Sequence, residues 1–418
     1  MRKHRRRSKN SRLERQILVM LALFSTSAGL WENFRQLWLQ GNGFLATDVS
    51  VVTSIGLFAS VIGVLLVGYK LKMRHLKSFM TLILSIKFVS LIILFNLNAT
   101  SMTVTMGTCT VIDIITSYLI VASVYPLITT VIKSNTIYSK RKLVEYWFRD
   151  IGVLIGGLVF GQTLFGITID CNASLVISLV FLAGAIVMMS TLRVEHLVVR
   201  DPTPHQRDSI VKYILHNRIQ TCYMIYAFLA AASFATALGL KMLILTNYLS
   251  FSTSTATNYL IIVGLLSDVV GVLALKYFTP KNDYLTLTLK FGVRLAAYVL
   301  AILADDPFLS MVAITWSILI STAYEDVTDG YYINTVDNRH QFSYSTIKHV
   351  MSFLGEAIGT LLCGAMYGFG VDFMLGASAI IMGVQLSIAY YLIYLRHHRR
   401  RVRHSASRMR YDERILGE

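Results

Sequence analysis

Apolar runs of about twenty residues recur from one end of this chain to the other. Each is as long as a helix must be to cross the roughly 30 Å hydrocarbon core of a bilayer. Inside lipid every backbone N–H and C=O needs a partner within the protein, so such runs are expected to be helices. They predict an all-α polytopic membrane protein with about twelve spans, approximately 16–38, 47–69, 78–96, 102–132, 143–166, 173–193, 219–246, 255–277, 285–304, 309–330, 343–369 and 372–395. Composition agrees, since only 15% of the residues are charged, against about 25% in a soluble domain. The basic N-terminus and the length of the first span argue against a cleaved signal peptide.

Charge orients the array. "MRKHRRRSKNSR", "KLKMRHLK", "KSNTIYSKRK", the stretch from Arg193 to Arg218 and "RHHRRRVRH" all fall on one side, while "GNGFLATD", "NLNATS", "ITIDCNAS", "NYLSFSTST" and "LADDP" fall on the other, almost without Lys or Arg. The excess of positive charge on cytoplasmic loops then puts both termini inside. The net charge of +16 comes mostly from these tails and loops. Anionic lipid headgroups are their expected partners, and nucleic acid is not. Two N-x-[ST] sequons, at Asn98 and Asn172, lie in short outer loops.

The chain also repeats itself. "IGLFASVIGVLLVGYK" from Ile55 aligns with "VGLLSDVVGVLALKYF" from Val263 at an offset of 208 (Gly56 to Gly264), and "DIGVLIGGLVFG" from Asp150 aligns with "FLGEAIGTLLCG" from Phe353 at 203. Lys87 and Arg294 fall close to the same register. Two independent matches argue for duplicated six-helix halves. The expected organisation is a basic cytoplasmic tail over 1–15, a first bundle over 16–193, a cytoplasmic loop over 194–218, a second bundle over 219–395 and a basic tail over 396–418. Parallel repeats of this kind place a binding site at their interface near the midplane.

Twelve spans, cytoplasmic termini, the six-plus-six repeat and a cytoplasmic central loop resemble the major facilitator superfamily of secondary transporters over almost the whole chain. The fifth span, "RDIGVLIGGLVFG", is similar to the glycine motif of the family's antiporters without its proline. The loop "GVLLVGYKLKMRHLK" keeps the glycine and basic residues of the family's signature, with Val67 in place of the usual aspartate. The resemblance implies that spans 1, 4, 7 and 10 line a central cavity. Those spans carry Glu32, Asn33 and Arg35, then Asp113, then Lys241, then Glu325, Asp326 and Asp329.

A charge at span depth costs about 2.5–3.5 kcal/mol on insertion scales, so these residues are expected to face water or a partner. Glu32 and Arg35, three apart, share one helical face and either pair with each other or flank the cavity, with Trp31 and Trp38 beside them. Glu32 and Asp113 are the leading candidates to carry a proton, because a carboxylate in a partly dry cavity holds its proton more tightly. Glu145, Arg149 and Asp150 at the start of span 5 read as an ion-pair latch, and Gly152, Gly156, Gly157 and Gly161 as a small-residue row that lets a facing helix approach, first for packing and second for gating. Lys348 and Glu356 lie two turns apart on span 11, and Lys87 and Arg294 either snorkel or pair with a carboxylate such as Asp113 or Asp268.

No Walker loop, zinc-protease motif or nucleophile elbow occurs. The histidines lie mainly in loops or tails, and Cys109, Cys171, Cys222 and Cys363 have no metal spacing, so neither an enzyme nor a cofactor is expected. A channel fits the duplication less well than a carrier, and a sensor or scaffold would gain little from charged spans. The expectation is a monomeric secondary active transporter of the plasma membrane that moves a small solute by alternating access, driven by protons. It either exports amphiphilic, drug-like compounds or imports a polar or anionic solute.

Overall fold

The computed structural model describes residues 2–70, 75–97, 103–131, 136–159, 163–164, 167–168, 171–192, 212, 214–277, 283–304, 306–319 and 341–415. It is built of helices: α1 (Arg2–Glu32), α2 (Phe34–Gly41), α3 (Ala46–Lys70), α4 (Leu76–Asn96), α5 (Thr103–Val131), α6 (Thr136–Val159), α7 (Cys171–Thr191), α8 (Arg218–Leu238), α9 (Thr253–Tyr277), α10 (Asp283–Ala304), α11 (Pro307–Leu319), α12 (Gln341–Tyr367) and α13 (Val371–Ile415). Between α6 and α7 the two-residue strands β1 (Thr163–Leu164) and β2 (Ile167–Thr168) pair antiparallel. Span 5 therefore ends as a helix at Val159, short of the expected 166.

Among the described residues, eight helical segments are long and apolar enough to cross a membrane, including Leu13–Gly41, made of α1 and α2, and Arg218–Tyr248, which begins with α8. The remaining helices α6, α9, α10 and α11 stand where spans 5, 8, 9 and 10 are expected. Many of the exposed large side chains are Ile, Leu, Val and Phe, as a lipid-facing surface requires.

The sequence repeat reappears as repeated contacts. Ser27 Oγ of α1 lies 2.8 Å from Ser178 Oγ of α7, and Ser178 Oγ also donates to the Ser27 carbonyl at 3.0 Å. In the second half Ser233 Oγ of α8 lies 3.1 Å from Ser378 Oγ of α13, and Ser378 Oγ donates to the Ser233 carbonyl at 2.7 Å. The glycine rows pack alike. A Cβ on Gly152 of α6 would run into the Thr26 carbonyl of α1, and a Cβ on Gly355 or Gly359 of α12 would run into the Phe228 or Ala232 carbonyl of α8. With little hydrophobic drive between helices in lipid, close backbone approach and serine hydrogen bonds are what hold such pairs together.

Both α1 and α8 lead into a break, and the breaks are repeat-equivalent. The first lies at Asn33, between α1 and α2, where the backbone angles stay helical. The second lies at Gly239 and Leu240, followed by the short turn Lys241–Leu243 and a π-helical turn over Ile244–Tyr248. Asn33 and Gly239 are both poor helix formers. Their offset is 206, the same as that between Ser27 and Ser233. One side chain serves both sites: Gln36 Nε2 donates to the Gly239 carbonyl at 2.8 Å, and the Met242 N–H donates to Gln36 Oε1 at 3.3 Å.

Further contacts join the two halves of the repeat. Ser54 Oγ of α3 donates to the Ala357 carbonyl of α12 at 2.9 Å, and Leu57, Ile114 and Ala357 form a small apolar cluster there. Gly364 of α12 leaves room for Ser50 of α3. These contacts, like those of Gln36, lie between mid-span and the ends joined by the loops 42–45, 249–252 and 368–370, which contain no Lys or Arg.

Candidate functional site

Asp113 sits on α5 with no exposure to solvent. A lone carboxylate so placed would be strongly unfavourable, and here it is surrounded by donors. Lys87 Nζ of α4 bonds Asp113 Oδ1, while Arg35 Nη1 of α2 and Trp31 Nε1 of α1 bond Oδ2 at 2.9 and 3.1 Å. Lys87 is itself only 1% exposed and donates also to Ser117 Oγ, one turn along α5, at 2.7 Å. Ser117 Oγ in turn donates to the Asp113 carbonyl at 2.9 Å. The cluster ties α1, α2 and α4 to α5. It contains two cations and one carboxylate, so it carries one positive charge in excess.

Glu32 and Arg35 share a face but do not pair. The backbone between them stays helical through Asn33, and each turns to a different helix. Arg35 takes Asp113, and Glu32 Oε2 accepts from Arg149 Nη2 of α6 at 2.6 Å. That second pair is partly open, with side-chain exposures of 19% for Glu32 and 47% for Arg149. Glu145, one turn earlier on α6, adds its charge to the field at Arg149. Asp150 faces across the halves, since a Cβ on Gly264 of α9 would come within 3.1 Å of Asp150 Oδ1. The expected latch is thus divided: Arg149 binds within its own half, and Asp150 abuts the other.

Lys241 stands two residues after Gly239, half-buried. Its ammonium lies in the combined field of Arg149, Glu32, Asp150 and Glu356. Tyr118 of α5 donates its OH to Glu356 Oε1 of α12 at 2.7 Å, a polar link between the halves at mid-span. Asn33 is buried at the first break. Glu325, Asp326, Asp329 and Gly161 lie outside the described residues, as does the side chain of Asp268.

The small-residue row on α6 packs inside the first half. Gly152 meets Thr26 and Gly29 of α1, and a Cβ on Gly156 would meet Phe34 of α2 at 2.5 Å. Gly157 follows on the same helix. Both approaches lie within the first half.

Several residues were not legible as partners in advance. Trp31, which the sequence places beside the charges as a source of hydrogen bonding or stacking, donates to Asp113. Gln36 and Tyr118 carried no signal beyond a polar atom inside an apolar run. Lys87 was one of two cations expected near Asp113 or Asp268, and it takes Asp113. Arg294 of α10, its repeat partner, bonds the Tyr298 hydroxyl, which passes the hydrogen bond to Ser317 Oγ at 2.6 Å. Among the described residues no group of three or more His, Cys, Asp or Glu could hold a metal ion.

No protein-family model matches the sequence, and no curated protein is significantly similar to it. Solved structures do match, over nearly the whole chain and at low identity. A bacterial homologue of the human lysosomal transporter Spinster, in an inward-facing and unoccupied conformation, superposes with a TM-score of 0.69 at 12% identity, covering 92% of this chain and 96% of that one. The nucleoside transporter NupG superposes with a TM-score of 0.63 at 14% identity, covering 91% and 98%. A D-xylose-proton symporter gives 0.65 at 11% identity, covering 90% and 95%. The chain is therefore a multi-pass membrane protein with the fold of the major facilitator superfamily of transporters.

Proposed function

We propose that this protein is a secondary active transporter that moves a small solute by alternating access between the two halves of its repeat. The observation that carries the reading is the polar wall at mid-span, where Glu32–Arg149 and Tyr118–Glu356 stand beside Lys241 in helices otherwise built for lipid. Charges at that depth are costly and are kept where a path needs them. Among the described residues, the contacts of α3 with α12 and of Gln36 with Gly239 and Met242 lie toward the ends that the charge pattern assigns to the outside, which supports a state sealed on that side.

The first and second bundles, over 16–193 and 219–395, are the rocking units. The basic tails lie in the cytoplasm against anionic lipid, and the protein works as a monomer in the plasma membrane. A proton is the driving ion, and Glu32 is its carrier. Glu32 has some access to water, and neutralising it frees Arg149 to find another carboxylate such as Glu356, within whose field it already lies. Asp113 is less suited, since a proton there would leave Lys87 and Arg35 facing each other in a dry site. The glycine row packs against α1 and α2 and so lends no support to an exporter. The charged cavity favours a polar or anionic solute over an amphiphilic one.

The test is a purified protein in liposomes containing a pH-sensitive dye, with a proton gradient imposed and solutes added in turn. Nucleosides, pentoses and organic anions head the panel, because solved structures of like fold are named for moving them. A solute-dependent proton flux, absent from empty liposomes, supports the reading. Solute accumulation that ignores the proton gradient removes the proton from it.

A further inference from the structure

Helices α1 and α6 touch backbone to backbone at mid-span and part toward their basic ends. A Cβ on Gly29 of α1 would strike the Arg149 carbonyl of α6, and one on Gly152 of α6 would strike the Thr26 carbonyl of α1. Nearer the basic ends the facing positions become Leu18 and Val19 on α1 and Val144 and Phe148 on α6, too bulky for that approach. A groove of about 370 Å³ opens there, with Ala22 at its deep end and Glu14 and Arg15 at its mouth. It opens to lipid. Val144, Trp147, Phe148, Ile151 and Leu154 recur at spacings of three and four, hence on one face of α6, and the last four are exposed. Asp150 points the other way, toward Gly264 in the second half. Arg15 is exposed and stands just past Leu13, where the apolar span begins. From Arg15 to Ala22 the helix climbs about 10 Å, so the groove runs from headgroup depth into the acyl layer. The sequence sets basic residues beside the mouth on both helices: the run from Arg2 to Arg12 ahead of Arg15, and Lys140, Arg141 and Lys142 ahead of Val144.

From this geometry we infer that the groove between α1 and α6 is a binding site for one anionic phospholipid of the cytoplasmic leaflet, seated with its phosphate at Arg15 and an acyl chain between Leu18, Val19 and Phe148. The inference goes beyond the transporter reading and rests only on the placement of the basic ends at the cytoplasmic face against anionic lipid. Arg15 offers the phosphate a planar fork of donors. Glu14 accepts from a headgroup hydroxyl, such as those of phosphatidylglycerol. The basic flanks add longer-range attraction and select a lipid of net negative charge over a zwitterionic one. The chain already lies in hydrocarbon and gains nothing by leaving water, so the groove holds it by close fit. The seated lipid fills the gap between the two helices. It thereby holds the cytoplasmic end of α6 against α1, one residue before the Arg149 that pairs with Glu32.

The experiment follows the unfolding midpoint of the full-length protein, stripped of lipid in a neutral detergent and titrated with phosphatidylglycerol, phosphatidylcholine and soluble glycerol 3-phosphate. A ligand of the folded state raises the midpoint by mass action, and the half-effect concentration scores each variant whatever its starting midpoint. Phosphatidylglycerol is expected to act at a mole fraction about tenfold lower than phosphatidylcholine, and glycerol 3-phosphate, without a chain, to have no effect. Arg15→Gln should weaken phosphatidylglycerol about fivefold, the effect of one cationic contact, and Arg15→Lys should restore most of the loss. Val19→Trp fills the groove and keeps every charge, so it should abolish the response to phosphatidylglycerol. Ile380→Trp, a like change on the lipid-facing surface of α13, should leave it intact. Val19 and Ile380 are both exposed, so the fold should survive either change. An equal response to phosphatidylglycerol in the wild type and Val19→Trp would overturn the groove and leave the headgroup to the basic tails. A response to phosphatidylcholine as strong as that to phosphatidylglycerol would overturn the anionic lipid, and with it the tails' attraction to one.

Discussion

Replacing Asp113 by Asn should be among the most damaging single changes in the first half, and the damage should depend on Lys87. Asp113 is fully buried between Lys87, itself 1% exposed, and Arg35. The amide keeps the shape and loses the charge, so two cations are left facing each other. At a separation of about 5 Å and an effective dielectric of about 20, their repulsion is about 3 kcal/mol. Removing one partner of a buried pair generally costs about 3–5 kcal/mol, and the two estimates agree. Lys87→Met should be milder, about 1–2 kcal/mol, because it leaves Arg35 and Asp113 as a neutral, hydrogen-bonded pair. In the double variant Arg35 is still unpaired but no second cation faces it, so Asp113→Asn should cost about 2 kcal/mol less than it does alone, a coupling that a double-mutant cycle isolates. Denaturant titration in mixed micelles, followed by tryptophan fluorescence, reads all four proteins, and Trp31 reports from within the cluster. A cost for Asp113→Asn below about 0.5 kcal/mol, or an equal cost with and without Lys87, would refute the charge balance argued here.

Three further outcomes follow from the same structure. Glu32→Gln breaks a pair that water reaches, so stability should change by less than about 1 kcal/mol, while solute-driven flux in liposomes should lose its dependence on the proton gradient; a large loss of folded protein with intact coupling would make the pair structural. Gly152→Leu must displace the Thr26 backbone and should cost about 1–3 kcal/mol in the same denaturant titration, whereas Gly383→Ala, with nothing within 4 Å of its new Cβ, should be neutral or mildly stabilising. Single cysteines at Gly43, Ser252 and Asp306 should react with an impermeant reagent from outside the cell, and cysteines at Lys140, Pro204 and Arg401 only from inside; outside reaction at Pro204 would reverse the proposed orientation.

The sequence by itself determined what depends on the chain's length and solvent. Runs of about twenty apolar residues can satisfy their backbone in lipid only as helices, so the class of fold was legible before any coordinates. The internal repeat was legible as well, because glycines that must admit a neighbouring backbone recur in register in spans 5 and 11. The presence of buried charges in spans 1, 3, 4 and 7 was equally plain. Their pairing was not. Glu32 and Arg35, three residues apart, look like natural partners on a continuous helix, yet the structure gives Arg35 to Asp113 on α5 and Glu32 to Arg149 on α6. Periodicity fixes the face of a helix on which a side chain lies. It does not fix the rotation and depth at which that face meets its neighbours, and a contact between charges depends on those to within an ångström. For the same reason the equivalence of the breaks at Asn33 and Gly239, bridged by Gln36, emerged only from the structure, which supplied the register that the glycine matches alone had left a few residues loose.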